Sequence, residues 1–233
     1  MYDERPTVLL VHGAWHGPWV WARLQPALDA LGWQTRTVQL PSSSGTADTA
    51  GVGPGLAEDT AAVRRALSYI DGPAVVLAHS YGGIPVSQAT AGRTDVAHLV
   101  YLAAYQLDVG ESMFSFHGVP VPASSAGLMP LTGDPRAMFF QDVPDDLAEE
   151  SLARLGPQSL RSCTDALTAA GWHTIPATYL VCERDGALPV ELQEQLALRS
   201  GTVRRLPSGH SPHLSMPGEL AAVLTEAVRA VPA

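Results

Sequence analysis

An α/β fold built on one open, mostly parallel sheet is predicted by the alternation of two kinds of segment along the chain. About six short runs rich in Val, Leu or aromatic residues alternate with helical patterns. This order is typical of a parallel sheet covered by helices on both faces. The 233 residues suffice for one sizeable core, and nothing in the sequence requires a second large domain.

The strands and helices are predicted from residue composition and from the periodicity of the apolar residues. The predicted strands are residues 7–11, 34–40, 74–78, 96–103, 177–182 and 202–206. The predicted helices lie near residues 18–31, 55–70, 81–91, 189–199 and 217–230. Two of these helices carry a clear apolar stripe, which consists of Leu56, Val63, Leu67 and Ile70 in one and of Leu220, Val223, Leu224, Ala227 and Val228 in the other. These stripes should pack on the sheet.

One long segment interrupts the alternation between the fourth and fifth strands. Residues 105–172 are far more than a crossover helix needs, and they include probable helices around 144–155 and 158–169. Their Met and Phe side chains supply apolar anchors that a disordered linker would lack. We therefore expect a core of residues 1–104 and 173–233 with an ordered helical cap at 105–172.

Composition and charge exclude several classes of function. The formal charge of −9 would repel a nucleic-acid backbone. The sequence has no leading apolar stretch and no run long enough to span a membrane, so a cytoplasmic protein without nucleic-acid or membrane partners is expected. Cys163 and Cys182 form no disulfide framework and lack the spacing of a zinc site. No metal or organic cofactor is expected, and the sequence does not predict the oligomeric state.

Ser80 is the predicted nucleophile. The segment 75–83 (VVLAHSYGG) is an apolar strand that runs into a sharp turn and then a helix. Such a strand–Ser–helix elbow exposes the hydroxyl above the carboxyl edge of the sheet, and small residues two before and two after the serine relieve crowding. Here these residues are Ala78 and Gly82, so the G-x-S-x-G pattern occurs with Ala in its first place.

A nucleophilic serine needs a base, and the base needs an acid that fixes its tautomer. Asp185 lies in the turn after the fifth strand, and His210 lies in a Gly-flanked loop after the sixth. This gives the chain order Ser, acid, His. Asp108, after the fourth strand, remains an alternative acid, and His213 an alternative base.

The first strand ends at a loop that could stabilise negative charge on a carbonyl oxygen. His12 and Gly13 follow the strand directly. Backbone N–H groups of Ala14 and Tyr81 are the predicted donors of an oxyanion hole. Predicted contacts to substrate are made by Trp15 and by Phe116 and Phe140 of the cap.

These motifs resemble the plant methylesterase and hydroxynitrile lyase family and its bacterial esterase relatives, within the α/β-hydrolase superfamily. The similarity covers residues 12–21 (HGAWHGPWVW), 78–83 (AHSYGG), 179–185 (YLVCERD) and 209–212 (GHSP). It spans nearly the whole chain but is poor across the cap. The resemblance implies a cofactor-free esterase with the triad as above and a structural or positioning role for His79.

The expected activity is hydrolysis of a small carboxylic ester through an acyl-enzyme. Two alternatives remain open, namely carbon–carbon cleavage of the hydroxynitrile lyase type and a slow-turnover small-molecule sensor. The lyases carry Thr or Asn at the position of Gly13, and one branch has Lys at the position of Ser211. These departures weaken the lyase interpretation, and the intact triad argues against an inert sensor.

Overall fold

The computed structural model describes residues 6–45 and 51–229. Within them, six strands form a single, entirely parallel sheet in the order β2-β1-β3-β4-β5-β6. The strands are β1 (Thr7–Val11), β2 (Thr35–Val38), β3 (Ala74–His79), β4 (Val96–Leu102), β5 (Ala177–Cys182) and β6 (Thr202–Leu206). The predicted α/β fold class is confirmed.

Ten α-helices accompany the strands in the described ranges. They are α1 (Leu24–Asp29), α2 (Leu56–Leu67), α3 (Gly83–Thr90), α4 (Met113–Phe116), α5 (Pro135–Phe139), α6 (Asp145–Ala153), α7 (Leu160–Thr164), α8 (Val190–Ala197), α9 (Pro212–Ser215) and α10 (Pro217–Arg229). Each predicted helix has a counterpart among them. Residue 230, where the last predicted helix ends, lies outside the described ranges, as do residues 1–5, 46–50 and 231–233 of the predicted core.

A separate hydrophobic core lies on each face of the sheet, because successive side chains of a strand point to opposite faces. Val8 and Leu10 of β1 join the cluster that contains the apolar faces of α1 and α10. Leu9 and Val11 join the cluster that contains residues of α2, α3 and α8. Helices on both faces therefore leave only the strand ends free to carry the site.

Three predicted elements differ from the observed ones, each for a physical reason. Strand β2 stops at Val38 because the next buried amide, Leu40 N, donates to His12 Nε2 at 3.1 Å and not to a neighbouring strand. The segment predicted as one helix at 18–31 is a 3₁₀ turn at Pro18–Ala22 followed by α1. Pro26 has no N–H, which suits the first turn of a new helix but not the middle of a continuous one.

The helix predicted around 158–169 is the third case, since α7 covers only five residues. The chain leaves the helix at Asp165, whose ψ is 130°. The Asp165 carboxylate accepts a hydrogen bond from Leu56 N, in the first turn of α2, at 3.1 Å. A contact across the fold therefore outweighs the local helical pattern.

Residues 105–172 contain helices α4 to α7, most of them short, and an isolated antiparallel bridge between Leu128 and Ser159. Phe139, Phe140, Val143 and Ala148 form a small apolar cluster with Leu214 of α9. We call residues 105–172 the inserted segment. Its packing brings it over the carboxyl ends of β1, β3, β5 and β6.

Candidate active site

Ser80 lies at the sharp turn between β3 and α3. Its φ is +53°, a left-handed conformation that costs a non-glycine residue about 1–2 kcal/mol. The turn is also tightly packed, because a Cβ on Gly82 would come within 2.6 Å of the His12 carbonyl oxygen. The predicted strand–turn–helix arrangement is therefore present, and Gly82 provides the close packing that the motif requires.

Asp185 and His210 are in direct contact below this turn. His210 Nδ1 donates to Asp185 Oδ2 at 2.7 Å, and their side chains are 1% and 0% exposed. Asp185 Oδ1 also accepts from Ala187 N at 2.7 Å and from Leu188 N at 2.9 Å. A carboxylate at this position favours the imidazole tautomer with its proton on Nδ1, and in that neutral tautomer Nε2 is the nitrogen that can accept a proton.

Ser80 and His210 line the same cavity, whose volume is about 340 Å³. Ser80, His210, Ala14 and Trp15 are among its lining residues, together with apolar side chains of the inserted segment such as Phe114, Met129, Leu131, Met138 and Phe139. Among the described residues, no Asp, Glu, Lys or Arg belongs to this lining. In the described part of the chain, Ser80 Oγ has no hydrogen-bond partner. The side chains of Ser80 and His210 therefore share the cavity without a direct hydrogen bond between them.

The alternative acid and base lie in other surroundings. Asp108 is 42% exposed and pairs with His173 Nε2 at 2.9 Å. His213 is fully buried against Trp21, and within the described ranges neither of its ring nitrogens has a hydrogen-bond partner. The carboxylate in contact with His210 is therefore that of Asp185.

Two of the three predicted substrate contacts lie outside the cavity wall. Phe140 is fully buried in the apolar cluster of the inserted segment, and Phe116 packs its ring 6.0 Å from that of Tyr105. Their neighbours Phe139 and Phe114 line the cavity in their place. Which of two aromatic residues one or two positions apart faces the cavity depends on how the short helices α4 and α5 are rotated, and their sequences do not determine this rotation.

The loop after β1 is held by two neutral histidines. His12 Nε2 accepts from Leu40 N, so the ring proton is on Nδ1, which donates to the Gly13 carbonyl at 2.8 Å. His16 Nδ1 donates to the Ala14 carbonyl at 2.6 Å. Burial lowers the pKa of His12 to about 4 and that of His16 to about 3, so both rings stay neutral.

These contacts orient the predicted oxyanion donors. In a trans peptide the C=O and the following N–H point in opposite directions. With its carbonyl turned to His12, Gly13 directs the Ala14 N–H the other way, and that amide has no acceptor in the described ranges. The Tyr81 amide lies in the first turn of the helical segment after Ser80, where backbone N–H groups lack intrahelical acceptors.

Gln193 and His79 contact the acid and the base. A structural or positioning role is expected for His79 from the resemblance, whereas the sequence does not identify Gln193. Gln193 of α8 donates to Asp185 Oδ2 at 3.0 Å and is fully buried. His79 Nε2 donates to the His210 carbonyl at 2.9 Å, and burial keeps the pKa of His79 well below its usual value. A glutamine on the buried face of α8 is the one sequence signal that could have indicated Gln193.

The inserted segment also holds the acid and base loops. Asp142 Oδ2 accepts from Gly209 N at 2.6 Å, next to His210, and Gln141 Nε2 donates to the Arg184 carbonyl, next to Asp185. A Cβ on Gly209 would come within 2.7 Å of Asp142 Oδ1. This segment therefore contributes backbone anchors as well as cavity walls.

Two further findings concern the chain as described. No helix in it is both long and apolar enough to cross a bilayer. Among the same residues no group of three or more His, Cys, Asp or Glu side chains is arranged to hold a metal ion, and Cys163 and Cys182 are buried free thiols.

Comparison with known proteins agrees with the architecture. A sequence model described as "Alpha/beta hydrolase family" matches residues 8–223. An alpha/beta hydrolase of Aspergillus novofumigatus, nvfD, is 29% identical over 91% of this chain and 92% of its own. Methylesterase 1 of Arabidopsis thaliana is 26% identical over 79% of this chain and 80% of its own. The solved structure of a pyrethroid hydrolase from Sphingobium faniae has a TM-score of 0.79 at 24% identity and covers 97% of this chain and 98% of its own.

Proposed function

Because the chain belongs to the alpha/beta hydrolase family, we propose that it hydrolyses an uncharged carboxylic ester with an apolar acyl or alcohol group. The contact between Asp185 and His210, buried at the floor of a cavity that Ser80 also lines, is the observation that carries the proposal. The proposal is supported by the similar proteins, which include a methylesterase among the sequence relatives and a pyrethroid hydrolase among the solved structures.

In the proposed mechanism Ser80 is the nucleophile and His210 the base. His210 Nε2 takes the Ser80 hydroxyl proton while Ser80 Oγ bonds to the ester carbonyl carbon, and the carbonyl oxygen receives the π electron pair. Catalytic hydrogen bonds of this kind often tighten only when substrate is bound. Asp185 stabilises the imidazolium that forms.

The amides of Ala14 and Tyr81 are proposed to donate to the resulting oxyanion. Collapse of the tetrahedral intermediate breaks the bond to the alcohol, which leaves with the proton from His210. A water molecule then repeats the sequence on the acyl-enzyme and releases the acid. No step needs a cofactor.

The composition of the cavity wall supports a class of substrate. Apolar side chains cover most of it, and the polar groups besides Ser80 and His210 are uncharged, namely those of Tyr105, His117 and Thr132. Burial lowers the pKa of His117, which favours its neutral form. The described residues of the wall offer no Lys or Arg to an anionic substrate, so an uncharged aryl or alkyl ester fits better than a charged one.

The test is a panel of uncharged aryl, methyl and lactone esters, with charged analogues of the same size. We expect turnover of at least one uncharged ester and a burst of alcohol release that matches the enzyme concentration. The Ser80→Ala variant should abolish both. Absence of turnover across the panel, or a fully active Ser80→Ala variant, would remove the proposal.

A further inference from the structure

Gln158 lies in the inserted segment and uses its whole hydrogen-bonding capacity. It is fully buried. Its Nε2 donates to Ser42 Oγ at 2.9 Å and to Ser162 Oγ at 2.6 Å, while Oε1 accepts from Ser43 Oγ at 2.7 Å and from Trp15 N at 3.2 Å. An amide side chain has two donors and one oxygen with two lone pairs. Gln158 is therefore fixed in position and in orientation.

The bond from Trp15 N reaches the loop that carries the first predicted oxyanion donor. The Ala14 carbonyl is turned to His16, so the Trp15 N–H of the same peptide points the opposite way, to Gln158. His16 and Gln158 thus hold the two ends of the peptide that directly follows the Ala14 amide. A second contact, from Gly156 N to the Trp15 carbonyl at 2.8 Å, fixes the next peptide.

From Ser42 the hydrogen bonds continue to the second predicted donor. Ser42 Oγ, which accepts from Gln158, donates to Asp59 Oδ2 at 2.5 Å, and Ser42 N donates to Asp59 Oδ1 at 2.9 Å. Tyr81 OH donates to the same Asp59 Oδ2 at 2.6 Å. Asp59 and Tyr81 are fully buried. Tyr81 directly follows Ser80, so fixing its ring also fixes the elbow.

One buried series of hydrogen bonds therefore joins the two places from which oxyanion donors are expected. We propose that Gln158 and Asp59 are positioning residues that hold the Ala14 and Tyr81 amides at a fixed separation. The inference rests on the proposed function. Donors stabilise an oxyanion only when they are placed in advance at hydrogen-bonding distance from its position, so loss of the series should weaken binding of the tetrahedral state more than binding of a planar ligand.

The experiment compares Gln158→Met with Gln106→Met. Met has similar length without polar atoms. Gln106 is equally buried and hydrogen-bonds to the Arg199 carbonyl and to Ser200 Oγ, but it does not line the cavity. Both variants lose buried side-chain hydrogen bonds and should be destabilised. Only Gln158→Met removes a contact to the loop after β1.

Two matched inhibitors separate positioning from general damage. An aryl trifluoromethyl ketone is attacked by Ser80 and places an oxyanion at the amides, whereas the corresponding aryl methyl ketone binds as a planar ligand. In Gln158→Met we expect kcat and the affinity for the trifluoromethyl ketone to fall about tenfold or more, because even one misplaced donor costs a large part of the stabilisation. KM and the affinity for the methyl ketone should stay within about twofold. Gln106→Met should keep the wild-type ratio of the two affinities.

Ser42→Ala and Asp59→Asn provide the same test should Gln158→Met fail to fold, since each interrupts the series between Gln158 and Tyr81. An unchanged ratio of the two inhibitor affinities in the folded variants would overturn the inference and leave the esterase proposal standing. A wild-type protein that neither hydrolyses esters nor prefers the trifluoromethyl ketone would overturn the proposed function, and the inference with it.

Discussion

Gly13 and Ser80 are in such close contact that a Cβ on Gly13 would lie 2.8 Å from the Ser80 Cβ. Real Cβ atoms do not approach one another so closely, so a larger residue at position 13 must displace the Ser80 side chain or the loop after β1. The contact gives Gly13 a steric role beside the serine. It also means that Thr or Asn at this position, which the resemblance implies for the hydroxynitrile lyases, would need a different local packing.

Gly13→Ala should therefore lower kcat for ester hydrolysis by at least about tenfold, because a displacement of the nucleophile by a few tenths of an ångström disrupts the attack geometry. Gly218→Ala is the matched control, since a Cβ there would contact nothing within 4 Å. Steady-state kinetics and thermal melting of both variants measure the effect. A Gly13→Ala enzyme with wild-type kcat would contradict the steric role.

Ser80→Ala should reduce ester turnover by several orders of magnitude, as expected on loss of a nucleophile, while the protein remains folded. The side chain is partly exposed in the cavity and makes no hydrogen bond in the described ranges, so its removal costs little stability. A serine-directed aryl phosphonate should add its mass to the Ser80 peptide alone. Mass spectrometry that finds the label on another residue would assign the nucleophile elsewhere.

Asp185→Asn should remove most of the activity, because the amide cannot stabilise the imidazolium and favours the wrong tautomer of His210. Asp108→Asn is the control. It removes the charge of a surface pair with His173, and pairs of this kind are worth about 0–1 kcal/mol. We expect nearly wild-type kcat for this variant. If the two variants rank in the opposite order, the acid is Asp108.

Acid should destabilise the fold through its buried histidines. Burial lowers the pKa values of His12, His16, His79, His98 and His213 below their ordinary value of 6.5. The unfolded chain therefore binds more protons than the folded chain below about pH 6.5, and unfolding becomes easier as the pH falls, by up to about 1.4 kcal/mol per pH unit for each such histidine.

Asp59 has the opposite effect on the free energy of unfolding as the pH falls. Burial raises its pKa to about 6 against the hydrogen bonds from Ser42 and Tyr81, so its contribution is lost as the pH rises from about 4 to 6. One carboxyl group does not offset five imidazoles. Urea unfolding at pH 7, 6 and 5 should show that the free energy of unfolding falls as the pH falls. In His98→Gln the fall per pH unit should be smaller, because unfolding then takes up about one proton fewer. Equal stability at the three pH values would be inconsistent with neutral buried histidines.

Phe114 and Phe140 should separate substrate contact from core packing. Phe114→Ala removes part of the cavity wall and should raise KM for aryl esters with little effect on stability. Phe140→Ala removes a fully buried ring and should lower the free energy of unfolding by about 3–5 kcal/mol. The two effects are measured by steady-state kinetics and by urea unfolding. If Phe140→Ala raised KM and Phe114→Ala lowered the free energy of unfolding, the roles of the two rings would be reversed.

The fold and the positions of Ser80, Asp185 and His210 could be predicted because they depend on local pattern and topology. The composition of each strand segment predicts a strand, and the carboxyl ends of parallel strands meet at one edge of the sheet. A residue that directly follows a strand is thus placed by the sheet alone. The catalytic roles of these three residues stay predictions until the variants above are measured.

The residues around them could not be predicted, since their contacts join positions far apart in the chain. Gln158 meets Trp15 across 143 positions, and Asp59 meets Tyr81 from a different helix. Neither pair belongs to a short motif. A single polar residue on an amphipathic segment does not indicate which distant residue it contacts. The orientation of Phe139 and Phe140 depends in the same way on the packing of the inserted segment.

Within the inserted segment, the side chains that form the cavity wall differ from those that anchor it to the core. Phe114, Met129 and Leu131 line the cavity, whereas Asp142 and Gln158 hold the backbone of the loops beneath it. If the cavity binds the substrate as proposed, point substitutions in its wall should change substrate preference while the anchoring contacts stay intact. Under the proposed function, a combinatorial library restricted to the three wall residues should sample new specificities while the arrangement of Ser80, Asp185 and His210 stays unaltered.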